Sequence, residues 1–114
     1  MGQSSSKSTP FNIIITISPK FKGKTPSEKS LQKFIKKKSW KDDLKFSLSD
    51  FFKLKKHYIK NKKIIIEGVL SNSSKKNKLI NEVKDGFWKV THSGDPIIIN
   101  KSILLIKPSN IKFN

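Results

Sequence analysis

FNIIITI, residues 11–17, decides the fold of this chain, because its β-branched residues put apolar side chains at every second position. In an extended strand this alternation places one set of apolar side chains on a single face. That set consists of Phe11, Ile13, Ile15 and Ile17. Lys63 to Leu70 is a second apolar, β-branched run of the same kind. The two runs therefore predict two strands of a β-sheet.

A helix signal lies between these two strands. Ser18 to Lys24 is expected to be a loop, since it contains both proline and glycine. Thr25-Pro26-Ser27-Glu28 then forms a capping box with proline at the first helical position, which predicts a helix from Pro26 to about Lys38. Its apolar face is expected to consist of Leu31, Phe34 and Ile35. The lysines opposite that face are Lys29, Lys33 and Lys36.

A second, weaker cap of the same kind is Ser47-Leu48-Ser49-Asp50, and it predicts a second helix. The residues after it would separate into an apolar side and a basic side. The apolar residues are Leu48, Phe51, Phe52, Tyr58 and Ile59, and the lysines are Lys53, Lys56 and Lys60. Two amphipathic helices with basic outer faces are expected from this spacing.

The segment after the second predicted strand favours further antiparallel strands. Polar residues form an expected loop from Ser71 to Lys78. Two hairpin-type turns, Asp85-Gly86 and Ser93-Gly94-Asp95, follow it. The expected strands are Leu79 to Val83, Phe87 to Thr91, Pro96 to Ile99 and Ile103 to Lys107, with a break near Asn100-Lys101.

Length and pattern together predict a small single α+β domain: two amphipathic basic helices packed on a mainly antiparallel sheet of four to five strands. A chain of 114 residues can bury one modest core. Residues 1–10 are small and polar and are expected to be a disordered tail. Residues 11–114 are expected to form the domain, with a basic helical half at 20–63 and a stranded half at 64–114.

Positive charge is the strongest compositional feature of the chain. It has 25 basic residues against 8 acidic ones, a net charge of +17, and every basic residue is a lysine. From Lys20 to Lys63 there are 16 lysines and four acids, a net charge of +12. From Leu79 to Asn114 there are five lysines and three acids, a net charge of +2. This asymmetry indicates a polyanionic partner, either an anionic lipid surface or a nucleic acid.

The lysines that we expect to bind such a partner lie near the amino terminus and on the two predicted helices. They are Lys7, Lys20, Lys22, Lys24, Lys29, Lys33, Lys36, Lys37, Lys53, Lys56 and Lys60.

The first seven residues, Met1-Gly2-Gln3-Ser4-Ser5-Ser6-Lys7, fit the N-myristoylation pattern. Removal of Met1 exposes the amine of Gly2, and Ser6 occupies the position where the pattern requires serine or threonine. This terminus resembles those of Src-type tyrosine kinases and of many retroviral matrix proteins, which combine a fatty chain with basic residues. The resemblance covers this short motif alone.

These features predict a myristoylated peripheral membrane protein on the cytosolic leaflet, in equilibrium with the cytosol. One myristoyl chain binds a bilayer only marginally, so a second signal is needed, and the lysines supply it. The chain has no cysteine, which excludes a palmitoyl anchor, a disulfide and a cysteine nucleophile. It also has no apolar run near 18 residues and no secretory leader, so we expect it to stay in the cytosol. A non-catalytic adaptor or structural role is expected, with a protein partner on the less charged sheet face.

The alternative is a basic protein that binds nucleic acid without sequence specificity. Bidentate readout of guanine is best performed by arginine, which is absent. Four aromatic residues are candidates for stacking on bases, although such residues more often pack in a core. They are Trp40, Tyr58, Phe87 and Trp88.

Signals for an enzyme, a metal or a cofactor are weak, and we expect none of the three. Ser18 to Thr25 ends in Gly-Lys-Thr like a phosphate loop but has serine at the first glycine position. His57 is expected to cap or flank a basic helix and His92 to lie beside a turn, and neither has metal-ligand spacing. Asp42-Asp43 is expected to mark a helix or turn boundary rather than a catalytic pair.

Overall fold

Three α-helices and two antiparallel sheets make up residues 10–114, which are the part of the chain that the computed structural model describes. The predicted single α+β domain is confirmed. The acylation motif at Gly2 and Ser6, Lys7 and all of the predicted tail except Pro10 lie outside the described residues.

Groups of strands alternate with helices along the chain. The strands are β1 (Phe11–Ile17), β2 (Lys20–Lys22), β3 (Phe52–Lys60), β4 (Lys63–Leu70), β5 (Ile98–Ile99), β6 (Ser102–Leu105) and β7 (Ile111–Phe113). The helices are α1 (Glu28–Phe34), α2 (Lys38–Ser47) and α3 (Lys76–His92), with 3₁₀ turns at Ser73–Lys75 and Pro108–Asn110.

The larger sheet has the strand order β3-β4-β1-β7, and every pairing in it is antiparallel. β1 and β4 have the predicted bounds and pair along all seven residues of β1, from Phe11 opposite Leu70 to Ile17 opposite Ile64. As predicted, Ile13 and Ile15 are buried on one face of β1 together with Ile17, whereas Phe11 is half-buried. β7 was not predicted, and it extends this sheet by pairing with β1.

The smaller sheet has the order β2-β6-β5. The break near Asn100-Lys101 is confirmed, because these two residues form the turn between β5 and β6. Both have positive φ, 49° and 69°, which suits the two central residues of a tight hairpin turn. The expectation that Ser18 to Lys24 is only a loop is wrong, since β2 pairs with β6.

α1 is shorter than predicted and begins later. Its N-cap is Ser27, whose hydroxyl accepts a hydrogen bond from the Ser30 amide at 3.2 Å, so Thr25 does not cap it. The helix ends at Phe34, and the backbone is extended at Lys37 before α2 begins. This break lets Trp40 of α2 enter the same core as Phe34, with ring centroids 5.1 Å apart. The predicted apolar face is confirmed, since Leu31, Phe34 and Ile35 are all buried.

The second predicted helix is wrong, because residues 52–60 form β3. A β-bulge between Leu54 and Lys56 shifts the register, so the inward-facing residues are spaced by two, then three, then two. That spacing resembles a helical period and hides the alternation of a strand. Gly68 lies opposite the bulge, where a Cβ would collide with the Phe52 ring and the Lys53 carbonyl.

The true second helix is α2, which buries Trp40 and Leu44. Asp42 and Asp43 lie inside it, so the prediction that they mark a boundary is wrong.

The predicted strands at Leu79 to Val83 and Phe87 to Thr91 are both wrong, because one helix, α3, covers them. Leu79, Val83 and Phe87 are buried at intervals of four residues, the spacing of one helix face. Asp85-Gly86 lies within this helix and does not form a turn. The predicted loop at Ser71 to Lys78 is also shorter, since a 3₁₀ turn and α3 occupy all of it except Ser71 and Asn72.

Helices α1, α2 and α3 meet through an aromatic stack over the inner side of the larger sheet. Trp40 lies between Phe34 and Phe87, and its ring centroid is 5.9 Å from that of Phe87. α2 and α3 approach closely where Gly86 faces Ser47, since a Cβ on Gly86 would lie 2.7 Å from the Ser47 Cα. The glycine therefore permits this helix contact.

We expect Gly86→Ala to destabilise the domain although alanine is the better helix former. Helix propensity would add about 1 kcal/mol of stability, but a clash with the α2 backbone costs about 1–3 kcal/mol, so the net effect is a loss of up to about 2 kcal/mol. Urea denaturation measures the change. The control is Gly94→Ala, where a Cβ meets nothing within 4 Å and where we expect a change below about 0.5 kcal/mol. A Gly86→Ala protein that is more stable than the wild type by about 1 kcal/mol, the full gain in helix propensity, would contradict the close α2–α3 contact.

Candidate anion-binding surface

Most lysines of the described chain have no acidic partner. Among residues 10–114, lysine nitrogens lie within 4.0 Å of a carboxylate in four pairs. In three of these pairs the two residues are four positions apart in the same helix, one pair in α2 and two in α3. Exposed pairs of this kind contribute only about 0.3–0.5 kcal/mol each. The positive charge of the surface is therefore largely uncompensated by neighbouring acids.

Lys29 and Lys33 lie exposed on α1 as predicted, whereas the lysines predicted on the second helix lie on β3 of the larger sheet. His57 of β3 points toward α1, with its Nε2 3.3 Å from the Ile35 carbonyl oxygen. Because side chains alternate across a strand, Lys56 points away from α1. His57 lies on a strand, but its ring contacts the carbonyl of Ile35, the C-cap of the lysine-bearing helix α1, so its predicted place at a basic helix is confirmed although its own segment is not helical.

The predicted lysines fall into three groups, all exposed. They are Lys20, Lys22 and Lys24 on β2 and the turn after it; Lys29, Lys33, Lys36 and Lys37 on α1 and the link to α2; and Lys53, Lys56 and Lys60 on β3.

One of the two candidate regions is the side of the larger sheet that faces away from the helices, which we call the outer sheet face. Its side chains are exposed or half-buried and alternate with the buried inner ones. It carries six lysines, three branched apolar residues and a single carboxylate. The lysines are Lys53, Lys55, Lys56, Lys60, Lys63 and Lys112, the apolar residues are Ile14, Ile65 and Val69, and the carboxylate is Glu67.

The carboxylate of the outer sheet face is engaged by its neighbours. The Tyr58 hydroxyl donates to Glu67 Oε2 at 2.5 Å, and the Lys56 Nζ lies 3.8 Å from the same oxygen. Lys56 also lies over the Tyr58 ring, 5.5 Å from its centroid. The hydrogen bond to Glu67 raises the pKa of Tyr58, and desolvation and the charge of Glu67 act in the same direction. This face therefore presents mainly positive charge.

The second candidate region is formed where three chain segments meet at one end of the larger sheet. We call residues 18–27, 60–63 and 100–102 the turn cluster. Ile17 pairs with Ile64, so the chain leaving β1 passes beside the β3–β4 turn. The Ser102 hydroxyl donates to the Lys24 carbonyl, which ties the β5–β6 hairpin to the same end.

Seven lysines and no acidic residue lie in the turn cluster. They are Lys20, Lys22, Lys24, Lys60, Lys62, Lys63 and Lys101. Four of them were predicted as binding residues. Lys62, Lys63 and Lys101 were missed, because they lie on or beside turns whose meeting depends on the tertiary fold. An available signal was the repeated Asn-Lys pair at 61–62 and 100–101, which occupies a two-residue hairpin turn in both places.

Three clefts adjoin one another, and the first two of them lie beside these turns. The first, about 370 Å³, is lined by Lys24 and Lys62 with Asn100. The second, about 500 Å³, shares Asn100 and adds Lys33 and Lys37. The third, about 580 Å³, shares Lys37 and is bordered by two exposed apolar residues and two acids. Those residues are Phe46, Ile98, Asp43 and Asp95.

Most of the aromatic residues considered for base stacking are unavailable. Trp40 and Phe87 are fully buried and stack on each other. Trp88 is 40% exposed, but its ring stacks on the His92 imidazole with centroids 3.7 Å apart. Tyr58 remains, half-buried on the outer sheet face.

The residues considered for catalysis are dispersed. The Gly-Lys-Thr segment follows β2, and three residues separate Gly23-Lys24 from the start of α1. His92 ends α3 at the loop that follows, near its predicted place beside a turn. Asp42 pairs with Lys38 at 3.0 Å, and desolvation, helped by the charge of Asp42, raises the pKa of Asp43.

Residues 10–114 contain neither a metal site nor a membrane-spanning helix. No group of three or more histidine, aspartate or glutamate side chains is placed there to hold a metal ion. None of the described helices combines the length and the apolar character needed to cross a bilayer.

No protein-family model, curated protein or solved structure matches this chain.

We expect the pKa of the Tyr58 phenol to lie above its ordinary value of 10.0, because ionisation would place a second negative charge beside Glu67. Tyr58 is the one tyrosine of the chain, so the ultraviolet absorbance of tyrosinate reports it alone. Glu67→Gln should lower its pKa toward the ordinary value. The control, Glu82→Gln, removes a carboxylate that accepts from Ser49 and should leave the titration unchanged. Equal titrations in all three proteins would contradict the Tyr58–Glu67 contact.

Proposed function

We propose that this chain is a peripheral membrane protein that binds the anionic cytosolic leaflet through its turn cluster and outer sheet face, with a myristoyl group on Gly2. The observation that carries the proposal is the meeting of three acid-free, lysine-bearing segments at one end of the domain. Ordinary exposed surfaces intersperse both signs of charge, so seven lysines without an acid favour a negatively charged partner.

The myristoyl chain and the lysines can together supply the free energy that stable membrane binding requires. A single myristoyl chain associates with a bilayer with a constant of about 10⁴ M⁻¹, which is reversible. A lysine near an anionic leaflet contributes about 1 kcal/mol, so four well-placed lysines would strengthen binding about a thousandfold. The turn cluster alone has seven lysines, so it can supply that contribution without the lysines of α1.

The geometry allows both signals to act at one surface. β1 runs from Phe11, where the amino-terminal segment joins the domain, to Ile17 beside the turn cluster, a distance of about 20 Å for seven residues. The eight residues from Gly2 to Thr9 can span at most about 28 Å. With the outer sheet face lying along the bilayer, the acyl chain and the turn cluster can reach the same leaflet.

The proposed role is non-catalytic, as an adaptor or structural component at the membrane. In this orientation α2 and α3 face the cytosol, including the exposed Phe46 of α2. That side would receive a protein partner. This differs from the sequence-based expectation of a partner on a sheet face, because the outer sheet face carries six lysines.

Binding to nucleic acid is the competing function, because phosphate backbones attract the same lysines. Two findings make it second choice. The two open sheets do not form the five-stranded barrel of oligonucleotide-binding domains, and the described chain offers few free aromatic residues for stacking.

The test is co-expression with an N-myristoyltransferase, followed by intact-mass analysis and co-sedimentation with phosphatidylcholine–phosphatidylserine vesicles. We expect acylation of the wild type and not of Gly2→Ala. Acylated protein should retain vesicle binding at high salt, where Gly2→Ala loses it, because salt screens the lysines but not the acyl chain. The matched control is Ser5→Ala, which leaves Gly2 and Ser6 in place and should behave as wild type.

The proposal fails if the wild type is not acylated, or if acylated and unacylated proteins bind vesicles equally at every salt concentration. Equal and steeply salt-dependent binding to vesicles and to duplex DNA would instead favour the nucleic-acid function.

A further inference from the structure

The first cleft of the turn cluster has the groups needed to hold phosphate. It is lined by Lys24, Thr25, Pro26, Ser27, Lys62 and Asn100. Each lysine ammonium offers three donors, and neither is within 4.0 Å of a described carboxylate. The hydroxyl of Thr25 and one N–H of the Asn100 amide are also uncommitted among the described residues, since that amide donates once, to Ser30 at 2.6 Å.

We propose that this cleft binds the phosphate groups of a multiply phosphorylated headgroup. The inference deepens the proposed membrane function, and its lipid source rests on that function. A phosphomonoester carries a charge of about −1.5 to −2 at neutral pH, so two ammonium groups balance one phosphate. A volume of about 370 Å³ lies within the size range of small-ligand sites.

The donors are held by backbone that has little freedom. Gly23 has a φ of 121°, and a Cβ there would lie 2.9 Å from the Ser102 Oγ, so the turn into Lys24 requires glycine. Lys62 and Asn100 have φ values of 60° and 49°, each within a tight hairpin turn. A backbone that is already constrained loses less entropy when a ligand binds than the backbone of a flexible loop does.

The neighbouring cleft explains why more than one phosphate is proposed. Asn100 lines both clefts, and on its other side the second cleft adds Lys33 and Lys37. Four lysines therefore surround one asparagine, with no acidic residue lining either cleft. The third cleft differs, because Asp43 and Asp95 line it. A ligand with two or three phosphates would use the first two clefts together.

The test compares two double variants with the same change in net charge. Lys24→Gln/Lys62→Gln removes the two ammonium groups of the first cleft. Lys45→Gln/Lys76→Gln removes two exposed lysines that line none of the three clefts. The probes are soluble inositol trisphosphate, measured by calorimetry, and two kinds of vesicle matched in charge density. One contains a phosphatidylinositol bisphosphate and the other contains phosphatidylserine.

We expect the wild type to bind inositol trisphosphate and to prefer the bisphosphate vesicles. The cleft variant should lose about thirtyfold in affinity for inositol trisphosphate, at about 1 kcal/mol for each lysine, whereas the control variant changes less than about threefold. Amide NMR shifts of the wild type, which need no variant, should change on titration at Gly23, Lys24, Lys62 and Asn100. The amides around Lys45 and Lys76 should not change.

Three results would either overturn the inference or limit the ligand to a soluble phosphate ester. Equal losses in both double variants, or amide shifts spread over the whole basic surface, would show a general electrostatic field and no site. Vesicle binding without preference for the bisphosphate lipid, and without binding of inositol trisphosphate, would remove the site and leave the membrane function intact. Binding of inositol trisphosphate at the cleft without vesicle binding would support the site for a soluble phosphate ester and contradict the membrane function.

Discussion

The antiparallel pairing of β1 with β4 is the constraint on which the rest of this structure depends. Its register sets Ile15 opposite Ile66 and Ile17 opposite Ile64, and all four side chains are almost completely buried. A slip of one residue would turn the inner side chains outward and bring Glu67 into the core, so the register is strongly specified. Because the helices pack on this inner layer, the same pairing fixes the direction of the outer sheet face. It also places the chain leaving β1 beside the β3–β4 turn.

The parts of the fold that were predicted correctly are those where one local signal has no competitor. β1 and β4 combine β-branched residues with alternation, and the apolar face of α1 follows a helical period. β3 was mistaken for a helix because its bulge inserts one residue into the alternation, and a bulge depends on the partner strand. The sequence predicts two strands in place of α3 because Asp85-Gly86 is a strong turn signal. Gly86 is instead required by the close contact between α3 and α2, and no local sequence pattern contains that contact.

The candidate site divides in the same way. The acylation motif requires no fold, so the sequence can propose Gly2 directly. The amount of positive charge and its concentration in residues 20–63 were also readable. The sequence did not show which lysines are neighbours. β3 places Lys56 on the side of the sheet opposite to α1, and three distant turns bring Lys24 and Lys62 to one cleft. Charge could be counted from the sequence, whereas its arrangement depends on topology.

The arrangement has an energetic consequence for the free protein. Seven lysines at one end, without acids between them, repel one another and stabilise neither the core nor the turns. The domain tolerates this repulsion because its stability comes from the buried isoleucine layer and the Phe34–Trp40–Phe87 stack, whereas the lysines of the turn cluster are exposed. Any anion that binds the folded cluster relieves the repulsion and adds its binding free energy to stability. A surface that is unfavourable alone and favourable with a polyanion is consistent with selection for binding, since folding alone does not require it.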